Sequence, residues 1–311
     1  MSLGITVFIC LLFIGGLKSI ASPSIVSHDP ILIPISSEIK LNGFLTVPKD
    51  NRKSYSAVLL LEGSGKASET KETHSSAYRQ IAEKLAEAGM ASLRFNKRGT
   101  GYNQNRGSFK FASFSDNYKD ALSALEFLKR QPKIDSRRIF VLGQSMGGIR
   151  ATRLAVENPD ILGLILVATP TRPYEDFNNE QLEFFLRFQG LGQIDISKEL
   201  EKNRFKNASL KNGTFNCSDY VEVCEVDEKT GEALLEGQSL RYWKEVVQVN
   251  QVEALSLLSV PTLVVHGTSD WVVSVKDAAL SAVTLEKSDT VKFQVNIIPN
   301  FDHFFVTNGS K

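Results

Sequence analysis

Five residues, Gly143-Gln144-Ser145-Met146-Gly147, place a serine between two short-side-chain partners at the junction of an apolar run, "RRIFVLG", and a helix-like run, "GIRATRLAVEN". A serine held at such a strand-to-helix turn projects its hydroxyl above a sheet, and glycines two positions away let neighbouring backbone come close. The chemistry this suits is nucleophilic attack, which at neutral pH needs a base to take the serine proton and a third group to orient the base. Triads occur in several chain orders; the order serine, acid, histidine is the one implied here by the resemblance described below. His28 and His74 precede Ser145, and His266 closes the apolar run "TLVVH", where it reads as structural; His303, after "FQVNIIP", remains as the base.

Asp270 stands three residues past Gly267, in the turn after "PTLVVH", so it emerges at the carboxyl edge of the sheet, where ligand crevices form in open α/β folds. Asp302 adjoins His303 and reads as a loop residue, because sequence neighbours seldom point so as to hold one another's ring. Asp277 falls in the next helix and reads as a solvated face. Charge developing on a carbonyl oxygen needs two backbone N–H groups. The amide of Met146 supplies one; the loop after "AVLLLEGSG" supplies the other, assigned to Ser64 with Gly65 as the alternative.

The elements that must position these groups alternate. "SAVLLLEGSG", "MASLRFNKRGTG", "RRIFVLG" and "LGLILVATP" read as strands, with "AYRQIAEKLAEAG", "NYKDALSALEFLKRQ" and "GIRATRLAVEN" as intervening helices. Near-continuous apolar strands in βα order predict an α/β fold with a mostly parallel sheet of about eight strands, covered on both faces by helices. "DPILIPISSEIKLNGFLTVPK" alternates around Asn42-Gly43 and predicts an N-terminal antiparallel ribbon turning there. From 171 to 250 the rhythm breaks into "EDFNNEQLEFFLRFQG" and "ALLEGQSLRYWKEVV", which read as helical pieces of a lid inserted on the sheet. The core thus spans 22–170 and 251–311. Helical spacing of Phe184, Phe185, Phe188, Tyr242 and Trp243 reads as core packing.

The chain has 311 residues, 42% hydrophobic and 23% charged, enough for one large domain with a well-buried core. Its formal net charge is +1, and no basic run offers a footprint for nucleic acid. Ile5 to Leu17 is an apolar stretch about 13 residues long, short of the roughly 20 a membrane span needs. Followed by Ser19-Ile20-Ala21, it reads as a secretory signal cut after Ala21, over residues 1–21, with an uncleaved anchor as the alternative. Cys10 leaves with that signal. Cys217 and Cys224, in a polar stretch of an exported chain, are expected to form a local disulfide. Zinc is disfavoured for want of neighbouring ligands, since no histidine lies between His74 and His266. Asn207, Asn212, Asn216 and Asn308 head Asn-x-Ser/Thr triplets, acceptors for glycosylation only in a host with that pathway.

From Ile31 to Phe305 the sequence resembles the α/β-hydrolase superfamily, and most of all its lid-bearing branch of carboxylesterases and serine-aminopeptidase-like hydrolases. The residues that carry the resemblance are "EGSG", "RFNKRGTG", "GQSMGG", "VPTLVVHGTSDWVVSV" and "NFDHFF". It implies Ser145 as nucleophile, Asp270 as acid, His303 as base and the amides of Ser64 and Met146 as oxyanion hole. Three departures stand out: Glu62 where a histidine is common, Asn96 and Asn103 where aspartate and serine are frequent, and only Phe304 to Lys311 where a closing helix usually follows the histidine. The last implies either an absent helix or a truncated chain.

The chemistry expected is acyl transfer from an ester or thioester to water, with no cofactor and no metal. The partner is a small-molecule or short-peptide substrate, with no nucleic acid and no stable membrane span after signal removal. An exported aminopeptidase is the second reading; Glu175, Asp176, Glu180 and Glu183 could form an acidic pocket for its substrate's ammonium. A binding protein that kept the fold without the catalysis is the third.

Overall fold

The computed structural model describes residues 26–50, 52–66, 75–101, 107–288, 291–304 and 306. The expected signal with Cys10, and also His74, Asn103 and Asn308, lie outside the described residues.

Strands β1 (Val26–Pro34) and β2 (Lys40–Pro48) pair antiparallel from Val26 opposite Pro48 to Pro34 opposite Lys40. The reversal is not at Asn42-Gly43. It falls at 35–39, where the N–H groups of Ile35 and Ser36 both donate to the Ile39 carbonyl at 2.9 and 3.1 Å. Gly43 sits inside β2 for another reason: a Cβ there would lie 2.4 Å from the Arg94 carbonyl oxygen of the next strand. Asn-Gly is a turn signal only where the backbone is free to turn, and here the neighbouring strand needs the space.

The chain continues through β3 (Tyr55–Leu61), α1 (Ser75–Glu87), β4 (Ala91–Phe95), α2 (Phe114–Lys129), β5 (Ile134–Gln144), α3 (Met146–Glu157) and β6 (Gly163–Val167). All seven residues of β3 are buried, as a strand covered on both faces must be. Helix α2 opens on a capping box: the Ser113 hydroxyl accepts from Asp116 N–H, and the Asp116 carboxylate from Ser113 N–H.

Between β6 and the next core strand lies a segment of different character. It holds α4 (Tyr174–Phe188), α5 (Gln193–Asn212), a 3₁₀ turn at Cys217–Asp219, a small antiparallel sheet of β7 (Cys224–Val226), β8 (Ala233–Leu235) and β9 (Gln238–Ser239), and α6 (Leu240–Val246). "ALLEGQS", read from sequence as helical, is a hairpin: Glu236 and Gly237 adopt φ of 52° and 74°, the left-handed pair that tight two-residue turns require. Cys217 and Cys224 are joined in a disulfide. Tyr174, Phe177, Tyr242 and Val246 of this segment pack with Phe114, Met146 and Ile149 of the core.

The chain then returns through α7 (Gln251–Ser256), β10 (Thr262–Gly267), α8 (Val275–Glu286) and β11 (Phe293–Ile298). The large sheet has eight strands in the order β1-β2-β4-β3-β5-β6-β10-β11, antiparallel at β1/β2 and β2/β4 and parallel elsewhere. Apolar clusters fill both faces, one around Leu59, Leu93, Leu125, Leu154 and Leu166, the other around Val58, Leu60, Leu85 and Val265. The chain leaves β3 first towards β4 and then returns to its other side at β5. That reversal opens a crevice at the carboxyl ends of β3 and β5, where α/β sheets bind their ligands.

Candidate active site

Ser145 occupies that crevice, between the last residue of β5 and the first of α3, with φ 54° and ψ −129°. A non-glycine residue in this region costs of order 1–3 kcal/mol and persists only when its surroundings fix it. Two hydrogen bonds do so: Ser145 N–H donates to Val167 of β6 at 2.9 Å, and the Ser145 carbonyl accepts from Gly148 N–H at 2.8 Å. Helix α3 is pressed so closely against the end of β3 that a Cβ at Gly147 would lie 2.2 Å from the Leu61 carbonyl oxygen. The Met146 amide is the first N–H of α3, one that the helix itself does not use.

The loop after β3 touches the serine directly. A Cβ on Gly63 would stand 2.8 Å from Ser145 Cβ. Ser64 follows at the exposed end of that contact, with the buried hydroxyl of Tyr242 near its side chain.

Asp270 and His303 arrive from the far side of the sheet, after β10 and β11. His303 Nδ1 lies 2.8 Å from Asp270 Oδ2, and both residues are buried. The other carboxylate oxygen, Oδ1, accepts from the N–H groups of Val272 and Val273, each at 2.9 Å. Burial alone would raise the Asp270 pKa. Hydrogen bonds with His266 and His303, the charge of His303 and the Val273 amide outweigh it and hold the carboxylate at about 2, ionised at neutral pH. An ionised acceptor on Nδ1 directs the other ring nitrogen, Nε2, to act as acceptor when the ring is neutral.

The His303 backbone is tied to the residue before the serine. Gln144 Nε2 donates to the His303 carbonyl at 3.2 Å, and Tyr78 Oη donates to Gln144 Oε1 at 3.3 Å. Ser145, Asp270 and His303 therefore share one edge of the sheet. His266 enters the same constellation: its Nε2 donates to the Val273 carbonyl at 2.8 Å and lies 3.4 Å from Asp270 Oδ2. Its position at the end of β10, four residues before the acid, was the available signal. Asp302 organises the loop instead, accepting from Phe304 and Val306 N–H at 2.8 and 2.9 Å.

Asp277 is not a solvated face. It is fully buried, takes the N–H groups of Thr171 and Arg172 on Oδ1 at 2.7 and 2.8 Å, and pairs with the Arg172 guanidinium at 2.7 Å. A partner from the start of the 171–250 segment, remote in sequence, neutralises it. Three of the four acidic residues expected to form a pocket in α4 are likewise engaged, Glu175 with Lys211, Glu180 with Arg172 and Lys276, and Glu183 with Arg187, while Asp176 is exposed. Among the aromatics, Tyr242 is buried, whereas Phe184, Phe185 and Phe188 are exposed. Phe184 stacks on Trp271 at 5.2 Å, beside the acid. No group of three or more His, Cys, Asp or Glu side chains gathers as metal ligands among the described residues.

An eight-stranded, mostly parallel sheet with a strained serine at the β5–α3 turn and a histidine–aspartate pair at the same edge defines the α/β-hydrolase class. The family model of serine aminopeptidase, S33, matches residues 69–308, and the chain belongs to that family of α/β hydrolases. The sequence is 24% identical over 273 residues to Esterase EstD of Thermotoga maritima, covering 87% of this chain and 59% of that one. The chain thus spans about three fifths of the length of this curated relative. Its fold is similar to Est1E from Butyrivibrio proteoclasticus, solved with ferulic acid bound (TM-score 0.61, 18% identity, 89% of this chain and 92% of that one). It is also similar to the acylaminoacyl peptidase of Pyrococcus horikoshii (TM-score 0.60, 13% identity, 93% and 39%). Esterases and peptidases share this fold, so the fold alone does not choose between them.

Proposed function

We propose that this protein is a serine hydrolase that cleaves a carboxylic ester or thioester through an acyl-enzyme. The observation that carries the reading is the buried 2.8 Å pair of His303 Nδ1 and Asp270 Oδ2 at the same sheet edge as the strained Ser145. In the first half-reaction His303 Nε2 takes the hydroxyl proton as Ser145 Oγ bonds to the substrate carbonyl carbon. The tetrahedral oxyanion rests on the amides of Ser64 and Met146. His303 then returns the proton to the leaving alcohol or thiol as its bond to carbon breaks. In the second half, water gives its proton to His303, attacks the acyl-enzyme and releases the acid, restoring Ser145.

An ester is favoured over an amino-terminal peptide by the charges of α4. A substrate ammonium calls for a cluster of unmatched carboxylates, whereas Glu175, Glu180 and Glu183 each already face a cation, which leaves the exposed Asp176 alone of the four. The 171–250 segment is assigned as a lid, because its aromatics pack on Met146 beside the serine. Export with cleavage after Ala21 accords with the disulfide; no helix among the described residues is long and apolar enough to cross a membrane. N-terminal sequencing of the secreted protein tests the cleavage position.

The function is tested by comparing p-nitrophenyl esters with aminoacyl-nitroanilides on the purified protein. Turnover of the esters is the expected result; turnover of the nitroanilides alone makes the protein a peptidase, and turnover of neither leaves the binding-protein reading.

A further inference from the structure

A second group of charged side chains lies beneath the loop after β3, apart from the serine, histidine and aspartate. Lys97, two residues beyond β4, is buried, and its Nζ donates to the Gly63 carbonyl at 2.5 Å and to the Gly65 carbonyl at 2.8 Å. Arg150 of α3 is also buried and donates from Nη2 to the Glu62 carbonyl. Beside them is a small cavity of about 20 Å³, room for about one water, lined by Glu62, Lys97, Asn117, Asp120 and Arg150 together with apolar side chains. Burying two cations is costly, and here their hydrogen bonds to the loop carbonyls offset part of the desolvation.

What they hold is the direction of the loop's peptides. A trans peptide keeps its C=O and the following N–H on opposite edges of one plane. With the Gly63 oxygen fixed on Lys97, the N–H of Ser64 faces away from Lys97; with the Glu62 oxygen fixed on Arg150, the N–H of Gly63 faces away from Arg150. Gly63 is also the point at which the loop meets Ser145.

We propose that Lys97 is a positioning residue for the reaction: its buried ammonium clamps the carbonyls of Gly63 and Gly65 so that the Ser64 amide is presented to the oxyanion formed at Ser145. The inference rests on the hydrolase reading and on Ser64 as an oxyanion donor. Lys97 touches no reacting atom; it acts through the loop.

Burial lowers the Lys97 ammonium to about 8, with the Glu62 carboxylate opposing and the Arg150 guanidinium adding to the drop. The charged groups around it are Glu62 from the loop, Arg150 from α3 and Asp120 from α2 across the cavity, while Lys66 shares the Phe109 ring with it. A neutral amine retains two N–H bonds but loses the charge that strengthens them. The clamp therefore weakens as pH rises past about 8, and kcat falls with it.

The test is steady-state hydrolysis of p-nitrophenyl butyrate from pH 6.5 to 9.5 by the full chain, Lys97→Met and Lys97→Arg. Removing an oxyanion donor outright costs about 10²–10³ in kcat, and a donor left in place but loosely held should cost about 10–100-fold. Lys97→Met should show that loss in kcat with KM within about threefold of wild type. Lys97→Arg, which does not titrate in this range, should recover most of the rate and lack the alkaline fall seen in wild type. A Lys97→Met kcat within twofold of wild type overturns the inference, as does an alkaline fall unchanged in Lys97→Arg. Should neither variant fold, the wild type decides: a kcat that stays level from pH 7 to 9.5 contradicts the clamp. A wild type that turns over no ester and takes no fluorophosphonate at Ser145 defeats the hydrolase reading itself, a separate outcome.

Discussion

His303 Nδ1 stands 2.8 Å from Asp270 Oδ2 although 33 residues separate them, because β10 and β11 run parallel and deliver both loops to one edge. The Asp270 carboxylate is fixed on its other oxygen by two backbone N–H groups, so it presents one defined lone pair to the ring. Its role in the account is to set the tautomer of His303 and to stabilise the imidazolium that forms.

Asp270→Asn keeps the shape and loses that acceptor. The variant should fold normally, with kcat on esters lower by about 10³–10⁴-fold, as when a triad carboxylate is replaced by an amide. Steady-state kinetics beside circular dichroism check it; a loss below tenfold means that Asp270 does not orient the base.

The same carboxylate links stability to pH. Its pKa is depressed on folding, so its contribution is fully present above the ordinary carboxylate range and is lost as pH falls from about 4 through about 2. The size is roughly 2 kcal/mol. Urea titrations at pH 6, 4 and 2.5 should show stability falling more in wild type than in Asp270→Asn, which has no proton to bind there; parallel curves contradict the assignment.

Asp277 joins α8 to the start of the 171–250 segment. Removing a buried carboxylate that faces Arg172 and two N–H groups leaves the guanidinium and both amides without it. Asp277→Ala should lower stability by about 3 kcal/mol, read as a drop in the midpoint of urea unfolding. A change under about 0.5 kcal/mol shows that the segment is held by its apolar contacts alone.

Legibility in the sequence followed the range of the forces involved. Strands such as "SAVLLLEG" read correctly because burial on both faces demands an unbroken apolar run, and that demand is local. The strained Ser145 turn was legible for the same reason: strand, glycines and helix start are contiguous. Helix α5 was not, since asparagines take two of the five positions of its buried stripe, Ile196, Leu200, Asn203, Asn207 and Leu210, and blur the apolar period. The Glu236-Gly237 hairpin was hidden because Glu-Gly is no strong turn signal, and Asn42-Gly43 misled because the demands of β4 lie elsewhere in the chain. Asp277, the grip of Lys97 and the contact of His266 with Asp270 all depend on partners brought together only by the fold.

Ser145 as nucleophile is tested most directly by fluorophosphonate labelling of the purified protein, followed by peptide mapping, in wild type and Ser145→Ala. One adduct is expected, on Ser145, absent in the alanine variant together with at least about 10⁴-fold of the ester hydrolysis rate. Labelling that persists in Ser145→Ala, or ester turnover that survives it, contradicts the account.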